Sequence, residues 1–283
     1  LAKIFKKDIL DALASNEFFQ NMGANHYCLK NWKSLVSIIS MFCYPDKIII
    51  IQELLNRVTT GMFVSRASEY SQKAKILRRI AFMIYSGGID DYQQSLQLVI
   101  EKIIEYLRTD ESLLPSVLFL LRVLILRLSP GIISAIWPRL WPHVLTELMQ
   151  VVEQQNKNPQ NFLATLKFLE LISVVNNEDF HMYQWIFFFD SLSIGESNEF
   201  QPLVPRVVMP EAMRWKESEK KSNKGYLVKR KLVVKKHTSN DIQELFGLAR
   251  LLVNYIANQN LERCEPDWEE IHSLIETDFL NEN

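Results

Sequence analysis

Glycine is scarce in this chain, with 8 among 283 residues, and only Gly87 and Gly88 adjoin. Phosphate-cradling loops need several glycines in fixed register so that backbone amides can reach the ligand, which excludes P-loop and dinucleotide-binding readings. Cysteine is scarcer still. Cys28, Cys43 and Cys264 are odd in number and widely spaced, which fits neither a disulfide framework nor a zinc ligand set and predicts a reducing, intracellular setting. The five histidines (His26, His143, His181, His237, His272) never take the H-x-x-x-H or H-E-x-x-H spacing that puts two ligands on one helix face. There is no G-x-S-x-G elbow. His181 beside Glu178 and Asp179 reads as a first-turn helix residue, and Cys28 near His26 as a core cysteine. No catalytic residue, metal or cofactor is therefore expected. Uncharged runs fall short of the ~18–20 residues that cross a bilayer, and Arg122 sits near the centre of the most apolar stretch, Leu113 to Leu128. The chain opens on Leu1, with Lys3, Lys6 and Lys7 and no apolar signal core, which predicts a piece cut from a longer protein.

What is present is apolar residue at helical spacing. With 48% hydrophobic and 23% charged residues, the chain has the composition of a folded protein with a sizeable core. The first 190 residues read as about nine helices. Ile4, Ile9, Leu10, Leu13 and Phe18 open the first. Trp32, Leu35, Val36, Ile39 and Met41 form the second, which Pro45 ends because a residue before proline resists the αR region. Helices then follow from Asp46 to Val58 and from Ala67 to Tyr85, stopped at Gly87-Gly88. Asp90 and Asp91 read as first-turn acids of a helix striped by Leu96, Val99, Ile100, Ile103, Ile104 and Leu107. Leu113 to Leu128 should be buried on most sides. Two prolines four apart share a helix most easily in its first turn, so Pro138 and Pro142 predict a short helix after Ser129-Pro130-Gly131 and a new one starting at 138–142 and running to Glu153. Further helices are expected from Pro159 to Val175 and Glu178 to Phe189. Such a succession fits an all-α fold of HEAT/armadillo-like stacked antiparallel helices, without a clean fixed-period repeat. The expected layout is one domain overall: a helical-repeat-like body over 1–190, a basic, partly extended insertion over 191–240, and C-terminal helices over 241–283 that pack on the body.

The net charge of −1 conceals an uneven distribution. Arg206 to Lys236 carries 11 basic and 3 acidic residues, a local +8, on a remainder of −9. Within it, Tyr226, Val228, Leu232 and Val234 can face one way with Arg230 among them, while Lys229, Lys231 and Lys235 face the other, as in a short strand laid on the body. Lysines beside Trp215 and Tyr226 suit an anionic membrane surface, where each Lys or Arg contributes about 1 kcal/mol. They suit nucleic-acid phosphates, an acidic protein or plain solvent as well. A second basic run, Lys73, Lys75, Arg78 and Arg79, lies on a helix and reads as a weaker patch or a solvated face. Trp185 to Phe189 presents five large apolar residues in a row, either deeply buried or an interface for a homodimer.

Leu124-Ile125-Leu126-Arg127-Leu128-Ser129-Pro130-Gly131, continued by Ile136-Trp137-Pro138-Arg139-Leu140-Trp141-Pro142-His143-Val144-Leu145-Thr146-Glu147-Leu148, resembles the C-terminal region of the Dopey family. These are very large eukaryotic proteins of Golgi and endosome trafficking. The resemblance runs from about Leu10 to Phe189 and again through the final helices. It implies a peripheral membrane protein on the cytoplasmic face of the trans-Golgi and endosomes, working in protein transport with a large Arf-exchange-factor-like scaffold protein. It also implies recognition of phosphatidylinositol 4-phosphate and a link to the kinesin light chain, and it disfavours nucleic acid. No family motif fixes lipid ligands residue by residue. The lipid-binding set therefore comes from the charge pattern alone: Arg214, Trp215, Lys220, Lys221, Lys224, Lys229, Arg230, Lys231, Lys235 and Lys236, with Lys75, Arg78 and Arg79 as a second basic patch. The rival expectation is a pure protein-interaction or dimerisation scaffold whose basic loop is inert.

Overall fold

A computed structural model describes residues 7–8, 10–13, 15, 26–42, 44–56, 65–109, 111–153, 158–175, 180, 183–188, 203–204, 232–235, 241–258 and 265–280. These residues are helices and the turns that join them, with no strand among them. After a helical stretch at 10–13 come α1 (His26–Ser40), α2 (Tyr44–Asn56), α3 (Arg66–Ser86), α4 (Leu96–Leu107), α5 (Leu114–Arg127), α6 (Pro130–Glu153), α7 (Pro159–Val174), α8 (Gln184–Phe187), α9 (Ile242–Asn258) and α10 (Trp268–Leu280). The chain divides into two compact units, one of Leu1–His143 with Ser273–Asn283, the other of Val144–His272. That boundary falls inside α6, where the sequence marks none.

The first unit is all-α and solenoid-like. Arg78 on α3 lies 5.2 Å from the Phe119 ring on α5, and Arg127 at the end of α5 lies 5.9 Å from Tyr85 at the end of α3, so these two helices run parallel. The α4 helix returns the chain between them. Their ends are tied by Asp90, whose N–H donates to the Arg127 carbonyl at 2.9 Å and whose carboxylate accepts the Ser129 N–H at 2.7 Å. Lys47, in the first turn of α2, donates to the Asp91 carbonyl at 2.8 Å and brings the preceding turn to the same end. Helices that alternate direction, with every second one stacked in parallel, are the arrangement of helical-pair repeats.

The turn after α3 explains why the acids at 90–91 are not first-turn helix residues, as the pattern predicted. A 3-10 turn (Gln93–Ser95) intervenes before α4. Asp91 caps the turn by accepting the Gly88 N–H, and Asp90 sits at φ 61, a left-handed conformation that its two hydrogen bonds offset. Gly87 is required by close approach, because a Cβ there would come within 2.8 Å of the Tyr92 ring.

The two expected helices of 129–153 are one, α6, with Pro138 and Pro142 inside it. Each internal proline removes a hydrogen bond and costs about 3 kcal/mol. Against that cost stand Ile133, Trp137, Leu140, Trp141, Val144, Leu148 and Val152, all buried at helical spacing and each worth about 1.5–3 kcal/mol. Trp137 and Trp141 also stack, ring centroids 4.8 Å apart. Burial outweighs the lost bonds, so the helix continues through both prolines.

In the second unit α7 starts at the Asn158 cap, whose side chain accepts the N–H groups of Gln160 and Asn161, and it is buried over most of its circumference. Phe162 on α7 meets Phe246 on α9 edge-on at 5.9 Å. Phe180, Phe187 and Phe188 pack together in the core, so two members of the Trp185–Phe189 run are interior residues. The side chains of Trp185 and Phe189 lie outside the described residues.

Candidate functional site

Of the basic segment, the structure describes 232–235. Leu232 and Val234 are buried, Val233 is half-buried and Lys235 is exposed, the alternation that the sequence pattern predicts. No neighbouring strand holds these residues among those described. Glu170 on α7 holds them instead. Its carboxylate, on a residue only 1% exposed, accepts the N–H groups of both Val233 and Val234, the latter at 3.1 Å. Charge-assisted bonds to backbone amides are the stronger kind, and they satisfy a carboxylate that burial would otherwise penalise. Lys235 pairs with Glu270 at the start of α10 while more than half of its side chain remains in water. The other residues of the lipid-binding set, Arg214, Trp215, Lys220, Lys221, Lys224, Lys229, Arg230, Lys231 and Lys236, lie outside the described residues. One end of the segment is thus fixed to the second unit by a carboxylate that no sequence pattern singled out.

The second patch is spread over three environments. Lys75 is half-buried; Arg79 is 3% exposed and donates to the Ser15 carbonyl at 2.5 Å; Arg78 donates to the Asp278 carbonyl at 2.5 Å. These arginines are engaged inside the first unit and do not form a shared solvated face.

Arg78 opens onto a larger constellation. The last turn of α10 enters a groove between α3 and α5. Asp278 pairs with Arg122 at 2.7 Å, both side chains under 10% exposed, and Glu276 accepts from Lys33 on α1 at 2.9 Å and from the Tyr85 hydroxyl at 3.3 Å. Phe279 is fully buried against Phe82, Tyr85 and Phe119, at 5.2, 5.6 and 4.7 Å between ring centroids. Burial, and then the Glu276 charge, push the Tyr85 hydroxyl far above its ordinary range, so it stays a donor. Burial also lowers the pKa of Arg127. Sequence reasoning missed this groove because its partners lie 156 to 243 residues apart.

Among the described residues no group of three or more His, Cys, Asp or Glu could hold a metal ion, and no helix is long and apolar enough to cross a membrane. Helices stacked in alternating direction define an all-α, solenoid-like domain of the helical-repeat class. The profile of the family described as DOP1 C-terminal matches residues 1–252, and the chain belongs to that family. It is 32% identical over 164 residues to the Protein DOP1 homolog of Drosophila melanogaster, covering 55% of this chain and 6% of that protein. It is 26% identical over 240 residues to Protein pad-1 of Caenorhabditis briggsae, covering 78% and 10%, and 27% identical over 238 residues to Protein dop1 of Emericella nidulans, covering 77% and 13%. The chain therefore spans a small fraction of the length of these relatives. No solved structure matches it.

Proposed function

We propose that this chain is a membrane- and partner-binding domain of a peripheral trafficking protein in endosome–Golgi transport, acting by binding and not by catalysis. Its basic segment contacts anionic, phosphoinositide-bearing membrane on the cytoplasmic face of the trans-Golgi and endosomes. Phosphatidylinositol 4-phosphate is the lipid of choice, and its helical faces take a large Arf-exchange-factor-like scaffold and the kinesin light chain. Family membership supports the trafficking setting. The observation that carries the membrane reading is the end of the basic segment, where Leu232 and Val234 are held in the core and Lys235 is left in water.

Liposome flotation tests the reading, with neutral vesicles beside vesicles carrying phosphatidylinositol 4-phosphate. The chain should float only with the charged lipid, less as salt is raised, because exposed charges are screened over about 8–10 Å at ordinary ionic strength. A chain with Lys229, Arg230, Lys231, Lys235 and Lys236 changed to Ser should stay at the bottom. Flotation indifferent to those changes and to salt would return the segment to an inert loop.

A further inference from the structure

The groove between α3 and α5 has the chemistry of a peptide-binding site, and the structure shows it filled. We propose that it is a docking site for the C-terminal turn of an acidic, aromatic helix, and that α10 occupies it as an exchangeable ligand in cis. The partner that fits is a protein helix ending in two carboxylates two residues apart followed by phenylalanine, the pattern Glu276, Asp278, Phe279.

Four features support this. The contacts recognise a helix end. The last carbonyls of a helix lack intrahelical donors and carry the negative end of its dipole, and here Arg78 takes the carbonyl of Asp278 at 2.5 Å. The other contacts are side-chain specific: Arg122 reads the Asp278 carboxylate, Lys33 and Tyr85 read Glu276, and three aromatic rings enclose Phe279. A buried arginine–carboxylate pair with an adjacent aromatic anchor is the composition of an interface hot spot.

Charge is the third feature. Lys33, Arg78 and Arg122 line the groove, and the tip brings two carboxylates. The groove is thus complementary to an acidic helix end. The fourth concerns where groove and ligand lie along the chain. The residues forming the groove fall within the family match at 1–252, whereas α10 lies beyond it. The receptor belongs to the family-matched region and its occupant does not. A helix supplied by another protein can make the same contacts in trans.

The test uses the whole chain and a fluorescein-labelled peptide of the sequence Trp268–Asn283. In one variant, Asp278→Lys with Phe279→Ala dislodges the cis tip. By fluorescence anisotropy, the peptide should bind this variant at least about 10-fold more tightly than the unaltered chain, whose groove is occupied. Adding Arg122→Glu to the variant should abolish binding, and so should making Asp278→Lys in the peptide. A dislodged variant that keeps its helical circular dichroism but fails to bind the peptide would overturn the proposal. Loss of the helical fold in that variant would also overturn it, since a removable ligand leaves a folded receptor. On the unaltered chain, amide hydrogen exchange at 273–280 should be faster than in α3 and α5. Equal rates, meaning that the tip leaves only on global unfolding, would count against exchange.

Discussion

Each unit buries a carboxylate, and the two satisfy it by different means. In the first unit Asp278 meets the side chain of Arg122, and its neighbours Glu276 and Phe279 meet other side chains. In the second unit Glu170 meets main chain, the N–H groups of Val233 and Val234. A side-chain pair is specific to residue type and can be exchanged, reversed or mimicked by another helix. A carboxylate on backbone amides fixes the position of a segment whatever its side chains are. The first arrangement suits recognition, and the second suits anchoring.

The largest expected effect is at the side-chain pair. Asp278→Ala leaves a buried guanidinium without its counter-charge and should cost about 3–5 kcal/mol in urea denaturation. The exchange Arg122→Asp with Asp278→Arg should recover a good part of that loss, and a swap no better than the single variants would break the comparison on this side. Glu170→Ala strands two amides in a buried setting and should cost about 2–4 kcal/mol. Glu170→Gln keeps an accepting oxygen and should lose less than half as much. Equal losses in the two variants would mean that charge, and not the acceptor, does the anchoring.

The smallest effect is expected in alkali and belongs to the first unit. Burial raises the pKa of Tyr85, Tyr92 and Tyr106 from the usual 10.0, in the last case to about 12, so the folded chain holds these protons more tightly than the unfolded chain. Their contribution to stability is complete below pH 10 and falls as pH rises above it. At pH 11 the loss should be about 1.4 kcal/mol each for Tyr85 and Tyr92. Absorbance at 295 nm, followed beside circular dichroism, should show these phenols ionising together with unfolding. Ionisation well before unfolding would contradict their burial.

Much of the stack was legible from periodicity. The α3 helix spans Arg66–Ser86 where Ala67 to Tyr85 was expected, and the burial of α5 follows from its composition. Local rules failed where tertiary burial outweighed them. Pro138 and Pro142 looked like a helix start, yet the apolar face of α6 carries the helix through both. Leu35 and Met41, expected on the core stripe of the second helix, are exposed, because Leu29, Val36 and Ile39 define the buried edge of α1 and Met41 falls just past its end. In the candidate site, charge density located the basic segment, and its alternation held at 232–235. Glu170 and the Arg122–Asp278 pair were illegible, since a carboxylate within an apolar helix carries no mark of a partner 63 or 156 residues away.

The first unit is assembled from two stretches of sequence with the whole of the second unit between them. On a ribosome, residues 1–143 emerge well before 273–283, with the 129 residues of 144–272 made in the interval. At about 5–20 residues per second that interval lasts roughly 6–26 seconds. Throughout it Arg78, Arg122, Phe82 and Phe119 are made but lack the Asp278 and Phe279 that they meet in the finished unit. The unit that begins first is therefore finished last.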